Sequence, residues 1–335
     1  MRLLFVGLVT VDLVQRVARL PGIDEKVQSE SVDVAAGGPA TNAAVTAAAL
    51  GATVTLVSAV GSHPLGDLVR ADLAAHGVTL LDVTPGSPEP PPVSAVTVLA
   101  STGERTIVSR NAGTREVAVP PGGLPDADLT LVDGHHPALA VAAARAARRL
   151  LVDAGSWRPV FADVFPHAEV VACSGDFRHP AATGGLQQPG AIGSLSDPAP
   201  TDNLGQPAAT GFRRPRDTRE IETAADIDAA TATAITRTHP AAHVVITHGP
   251  EPVRWFSPGA AGEVPVPPVT AVDTAGAGDA FHGALAVALA RVAPARPDVA
   301  RDAVDLPAAI SYAARIAAVR VGHAGPRAWL AHLPG

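Results

Sequence analysis

Residues 273–284 read DTAGAGDAFHGA, and no other stretch restricts the chain so closely. Val269 and Val272 lead in as an extended segment, Gly276 and Gly278 remove side chains at a bend, and residues 280–291 are small and apolar in the manner of a helix. The pattern predicts a strand-to-helix turn. The first N–H groups of a helix have no intrahelical acceptor and the helix dipole adds partial positive charge, so a chain entering a helix through glycines makes an anion site. A phosphate fits such a turn. Asp279 lies within it, where a carboxylate reaches a hydroxyl held beside that phosphate, and the pair points to phosphoryl transfer. Taken alone, the residues fit equally a plain bend followed by a favourable first-turn acid.

Composition removes several classes. At 335 residues, with 47% hydrophobic content and mean hydropathy +0.22, the chain is long and apolar enough for a packed globular core. A net charge of −7 and a pI near 5.9 argue against a nucleic-acid partner, which needs clustered positive charge. Cys173 is the only cysteine, so no intrachain disulfide forms. Asp12 comes too early for a signal-peptide core and no run of 18 or more apolar residues occurs, so the expectation is a cytoplasmic protein without a membrane partner. Lys26 is the only lysine among 25 basic residues and lies in neither GxxxxGK[ST] nor VAIK, which excludes a P-loop or protein-kinase phosphate lysine. Arginine in place of lysine, with abundant Ala and Pro, reads as base composition more than chemistry. GxGxxG is missing too, since Phe281 stands where the third glycine would fall, which lowers a dinucleotide-binding reading.

In chain order, residues 3–7 are a short apolar run ending in glycine, as in a central strand. Asp12 follows, placed either for a ligand beyond the strand or as a solvated loop residue. Residues 27–34, 94–99 and 105–109 mix polar and apolar residues at period two, like half-exposed strands that pair as a separate small sheet. Between them lies AAGGPATNAAVTAAALGA. Pro39 opens a helix over residues 40–50, Gly51 closes it, and Gly37 and Gly38 permit close backbone approach. Asn42 is either a ligand contact or a local amide cap. Apolar runs at 129–133, 150–154 and 170–172 alternate with helical stretches at 137–148 and 160–167, which implies βαβ units and a parallel sheet. His135 and His136 fall at a strand's carboxyl end, without a third ligand spaced for metal. From residue 174 the composition turns to Gly, Pro, Ser, Thr, Gln and Asn, and residues 177–219 read as a disordered insertion. Regularity returns with a helix at 226–239, a strand at 243–247, a hairpin at 255–266, a last helix at 306–321 and a glycine turn at 322–325.

Residues 273–284 resemble the C-terminal signature of the PfkB family of carbohydrate kinases, DTxGAGD followed by an aromatic, a polar residue and glycine. Asp273, Thr274, Gly276, Ala277, Gly278, Asp279, Phe281 and Gly283 match. GGPATN and the glycine run at 61–66 resemble the N-terminal signature, and the resemblance spans residues 3–330 apart from the insertion. It implies an α/β fold, a ribokinase-like three-layer sandwich with a mainly parallel central sheet plus a small β lid. The whole of 1–335 would be one domain, with lid strands from about 10–36 and 92–112. The implied activity is ATP-dependent transfer of the γ-phosphate to a hydroxymethyl group of a carbohydrate. By the same resemblance Asp279 is the general base, with Gly276, Ala277 and Gly278 completing the anion hole. Asp12, Gly37, Gly38 and Asn42 are placed at the sugar, with Arg105 added from the lid unless it is a solvated strand residue. Thr247, Gly249, Asp273 and Thr274, with Gly276 and Gly278, are placed at the nucleotide. Mg2+, a monovalent cation such as K+ bordered by the last helix and the 322–325 turn, and a homodimer formed through the lid complete the implied set. The family's N-x-x-E motif is absent, with Asp176 the nearest acid, so no metal ligand is named. Details such as GGP, GER and DAFHGALAVALA resemble the sulfofructose-kinase and ketohexokinase branches, although His135 stands roughly where the former has an arginine and Pro39 where the latter has an asparagine. A nucleoside or sugar-phosphate kinase of the same family and a catalytically silent sugar or nucleotide binder remain as alternatives.

Overall fold

The computed structural model describes residues 1–113, 117–182, 223–291 and 304–334. β1 (Arg2–Val6) is apolar after its first residue, and its side chains serve two cores: Leu3 and Phe5 pack on one side, Leu4 and Val6 on the other. A strand with no polar face must be covered on both sides, which places it at the centre of a parallel sheet. The chain then forms β2 (Thr10–Val17), β3 (Ser31–Gly37) and α1 (Pro39–Ala49), followed by β4 (Thr53–Ser58), α2 (Pro64–Ala75) and β5 (Val78–Asp82). β6 (Val93–Leu99) and β7 (Arg105–Ser109) precede β8 (Leu129–Val132), α3 (Pro137–Ala146), β9 (Leu150–Ala154), the short α4 (Phe161–Val164) and β10 (Val170–Ser174). After α5 (Ala224–Thr238) come β11 (His243–His248), β12 (Glu251–Ser257), β13 (Ala260–Val264), α6 (Ala277–Arg291) and α7 (Leu306–Val321).

Among the described residues the main sheet has nine strands in the order β13-β12-β11-β10-β9-β8-β1-β4-β5, parallel except for the β11–β12–β13 edge. Side chains of α1, α2, α6 and α7 fill one core and those of α3, α4 and α5 the other, so the molecule is a three-layer α/β sandwich. A second sheet, β3-β2-β6-β7, joins β2 to β3 and β6 to β7 antiparallel and β2 to β6 in parallel. It forms a lid over one end of the main sheet.

Three local readings change. The segment before α6 is not a strand: β13 ends at Val264, and Val272 and Asp273 donate their N–H groups to the Val321 carbonyl at 2.9 and 3.1 Å. The glycine turn is thus entered from a loop fastened to the end of α7, because its hydrogen bonds go to a helix terminus and not to a ladder. α6 starts at Ala277, earlier than the spacing predicts, which puts Asp279 in its first turn. Asp12 lies within a lid strand, β2, and not in a loop beyond β1. Phe177, at the head of the expected insertion, is buried at 2% exposure and packs near Trp157, Phe161 and Phe165; residues 183–219 lie outside the described set. Among the described residues no helix is long and apolar enough to cross a membrane.

One contact fixes the two helices that carry the site. A Cβ on Gly283 would overlap the Ala43 carbonyl oxygen and stand 2.8 Å from Thr46 Cβ, so α6 lies backbone to backbone against α1. Overpacking of this kind costs about 1–3 kcal/mol. Gly283→Ala is therefore expected to lose about 2 kcal/mol in urea unfolding by that scale. An unchanged midpoint and slope would show that the helices are free to separate.

Candidate active site

A crevice of about 380 Å³ lies between the lid and the carboxyl ends of β9, β10 and β11, with the starts of α1 and α6 at its wall. Open parallel sheets bind ligands at such a position.

At one end of the crevice the backbone comes unusually close to itself. Gly38 caps α1 at φ 98° and ψ 152°, outside the range that side chains tolerate. A Cβ on Gly37 would overlap the Asp12 carboxyl group. Asp12 projects from β2, and its Oδ1 accepts from Thr10 Oγ1 at 2.6 Å. Burial raises its pKa, opposed by hydrogen bonds from Thr10 and Ser94 and by the charge of Arg327.

Asn42 stands in the first turn of α1. Its Nδ2 donates to Asp279 Oδ2 at 2.8 Å, and its Oδ1 accepts from Arg327 Nη1 at 3.2 Å. A carboxylate only accepts and a guanidinium only donates, so the orientation of the amide is forced. The side chain reaches across the crevice rather than capping its own turn.

At the other end is the glycine turn. Gly276 has φ 70°, Ala277 donates to the Thr274 carbonyl at a long 3.4 Å, and Ala280 donates to the Gly276 carbonyl at 2.9 Å. Between them the amides of Gly278 and Asp279 have no acceptor among the described residues, as an anion site requires. Asp279 opens to the crevice on one side and is enclosed by protein elsewhere. Burial first and the Asp153 carboxylate second push its pKa up to about 6, with Asp12 adding to the rise, while the Asn42 hydrogen bond and the charge of His282 oppose it. A carboxylate poised there suits a general base.

Asp273, 2% exposed, secures the entry to the turn. Its Oδ1 accepts from the Ala275 amide at 2.9 Å, and its Oδ2 accepts from Arg320 Nη2 at 3.0 Å and from the Gly325 amide at 3.2 Å. The lid grips the same turn. The Thr274 amide and hydroxyl both donate to the Gly103 carbonyl at 3.1 and 3.0 Å, and Arg105 Nη1 donates to the Thr274 carbonyl and hydroxyl oxygens at 3.2 and 3.1 Å.

The structure gathers Asp12, Gly38, Asn42, Arg105, Thr247, Asp273, Gly276, Gly278 and Asp279 around one crevice. Gly37, Thr274 and Ala277 stand just behind its wall, through the contacts above. Gly249 does not line it and sits in the tight turn after β11 at φ 62°. His135 is turned elsewhere, its ring between Asp133 and Arg158 at 3.3 and 2.6 Å. Four ionisable lining residues escaped the sequence reading: Asp153, His282, Arg320 and Arg327. The rule that singled out Asp12, an acid at a strand's carboxyl end, applies better to Asp153 at the end of β9. No local pattern marks Arg327.

The sequence model of the pfkB family carbohydrate kinase matches residues 1–173 and 217–332. The fold is similar to that of a candidate ribokinase from Agrobacterium tumefaciens, with TM-score 0.72 and 24% identity over 98% of this chain and 94% of that one. It is also similar to ribokinase from Cryptococcus neoformans in complex with ADP, with TM-score 0.68 and 19% identity over 98% and 96% of the two chains. Ribokinase from Arabidopsis thaliana complexed with ribose and ATP gives TM-score 0.64 and 19% identity over 96% and 93%.

The raised pKa of Asp279 also bears on stability. Its folded value, about 6, exceeds the ordinary 3.8, so folding takes up a proton between those values and the ionised carboxylate destabilises the fold above them. At about 1.4 kcal/mol per unit, reduced for water in the open crevice, the cost is of order 1–2 kcal/mol. Asp279→Asn is expected to raise the melting temperature at pH 8, and the gain should vanish as the pH falls towards 4. A variant no more stable than the parent at pH 8 would refute the assignment of a strained carboxylate.

Proposed function

Because the chain belongs to the pfkB family of carbohydrate kinases and is an ATP-dependent carbohydrate kinase, we propose that it moves the γ-phosphate to a hydroxymethyl group of a sugar, with Asp279 as general base. The observation that carries this reading is the pairing, within one crevice, of a carboxylate at raised pKa with two backbone amides that have no acceptor.

Asp12 and Asn42 hold acceptor hydroxyls, with Gly37 and Gly38 letting the sugar approach the backbone. Asp279 takes the hydroxyl proton as that oxygen bonds to the γ-phosphorus and the bond to the bridging oxygen of ADP breaks. The amides of Gly278 and Asp279 hold the charge of the migrating group, with Gly276 and Ala277 shaping the turn that presents them, and Arg105 adds to it from the lid. Thr247, Gly249, Asp273 and Thr274 form the nucleotide side. A sugar phosphate is the second acceptor reading, favoured by Arg327 beside Asn42. Val32, Val34 and Val108 stand exposed on the lid face that alternates away from the crevice, and they are the surface for a homodimer in this reading.

Among the described residues no group of three or more His, Cys, Asp or Glu could hold a metal ion. The described residues therefore offer no cage for magnesium, which would arrive with the ATP phosphates and its own waters. The monovalent cation does not fit. Oxygens beside the turn are already bonded to Arg320, whose Nη2 reaches Asp273 Oδ2 at 3.0 Å and whose Nη1 reaches the His323 and Asp273 carbonyls at 3.0 and 3.5 Å.

A screen of sugars, sugar phosphates and nucleosides coupled to ADP release tests the acceptor. On the substrate so found, Asp279→Asn should lower kcat by about 10²–10⁴, and Asp12→Ala should lower kcat/KM for the acceptor by roughly ten- to a hundredfold with ATP affinity kept within about twofold. Asp279→Asn retaining more than about a tenth of kcat would remove the base. Replacing potassium by tetramethylammonium should leave kcat/KM within about twofold, since a guanidinium already supplies the charge. Strong activation by potassium would show that Arg320 does not fill that place.

A further inference from the structure

His282 has no part in the reaction above, yet it is 6% exposed and lines the crevice with Asp279. α6 places it three residues after Asp279, on the adjoining part of the same helical face. Its Nδ1 lies 2.9 Å from Oδ2 of Asp153, itself 5% exposed at the end of β9. The distance is that of an ion pair, without the alignment of a hydrogen bond, and Nε2 of the ring has no acceptor among the described residues. Gly283, the next residue, is pressed on the Ala43 carbonyl, so the helix cannot rotate the ring away.

We propose that Asp153 and His282 form a positioning pair for the base: Asp153 holds the ring as an imidazolium, and the imidazolium keeps Asp279 ionised in a crevice whose enclosure favours the neutral acid. The proposal rests on the reading of Asp279 as base. Burial, the largest influence on His282, lowers its pKa, but the charge and contact of Asp153 with the charge of Asp279 outweigh it, and the net direction is upward. The ring is therefore charged below its folded pKa, and its help to Asp279 is lost as pH rises through that value. Asp153 from β9 and Asp12 from β2 both oppose ionisation of Asp279. Arg158 and Arg327 face those two acids, Arg320 is bound to Asp273, and Arg105 is bound to Thr274. Among the described residues around the crevice, His282 is the cation whose charge lowers the pKa of Asp279. Asp153 alone would harm the base; Asp153 with His282 holds a cation next to it.

NMR titration tests this on the full chain, with carboxyl-labelled aspartate for Asp279, assigned by its loss in Asp279→Asn, and the ring Cε1 proton for His282. The wild type should show Asp279 titrating near 6 and His282 titrating above the ordinary histidine value. His282→Gln should raise the Asp279 titration by about half a unit or more, and the Asp153→Asn, His282→Gln double variant should bring it back down. In turnover, His282→Gln should move the acid limb of kcat/KM to higher pH, so that the loss near pH 6 exceeds the loss near pH 8. An Asp279 titration unmoved in His282→Gln, or a loss equal at every pH, overturns the proposal. So does a wild-type His282 that titrates below the ordinary histidine value, and this measurement decides alone where His282→Gln does not fold. The titrations need no turnover: if they behave as stated while no acceptor is phosphorylated, the base reading fails and the pairing stands.

Discussion

The hydrogen bond from Asn42 Nδ2 to Asp279 Oδ2, at 2.8 Å, ties together the two helix starts from which the site is built, and most of the molecule serves to keep that distance. α1 and α6 are small-residue helices, PATNAAVTAAA and AGDAFHGALAVALAR. Alanine and glycine bring little apolar area per residue, but they let helix axes approach until backbone meets side-chain stubs. Larger residues at Ala43, Thr46 or Gly283 would bury more surface and pull the amide from the carboxylate. The abundance of alanine in the sequence thus has a geometric use here, apart from its helix propensity.

Around that bond the crevice collects charge of both signs with little freedom. Arg327 reaches the Ala36 carbonyl at 2.5 Å, Asp72 at 2.9 Å and Asn42 at 3.2 Å, and Arg320 is shared between Asp273 and the His323 carbonyl. Each guanidinium bonds several oxygens at once, which the single ammonium of lysine matches poorly. Base composition gives a sufficient reason for arginine elsewhere in this chain. At these two positions the planar fork is what the geometry uses.

The parallel sheet, the last helix and the two glycine-rich starts could be read from the chain because each is local: an apolar run, a helical spacing, a proline before small residues, a glycine pair. β2 could not be read from its own residues, since TVDLVQRV mixes polar and apolar residues and pairs with β6 some eighty residues away, and only the family resemblance brought it into the lid. The loop before α6 carries valines that look like strand, and only the distant Val321 carbonyl decides otherwise. The site divides in the same way. Asp279, Asn42 and Asp12 belong to local patterns or to family signatures. Arg327 follows a proline near the C-terminus and meets Asn42 only because the chain end folds back over α1. His282 lies inside the most legible segment of all, but its meaning depends on Asp153, and nothing local connects residues 153 and 282.

The lid does more than cover. Asp12 is on β2, and β6, hydrogen-bonded along it, leads into the Gly103–Arg105 tip that holds Thr274 at the head of the phosphate turn. The surface proposed to hold the acceptor and the turn proposed to hold the phosphate are therefore joined through one sheet. Under the proposed reading, an acceptor bonded to Asp12 would bear on β2 and, through β6, on that turn, whereas a lone water molecule at Asp279 would not. In that reading, thrift with ATP when no acceptor is bound would have its origin in the order of strands in a four-stranded sheet.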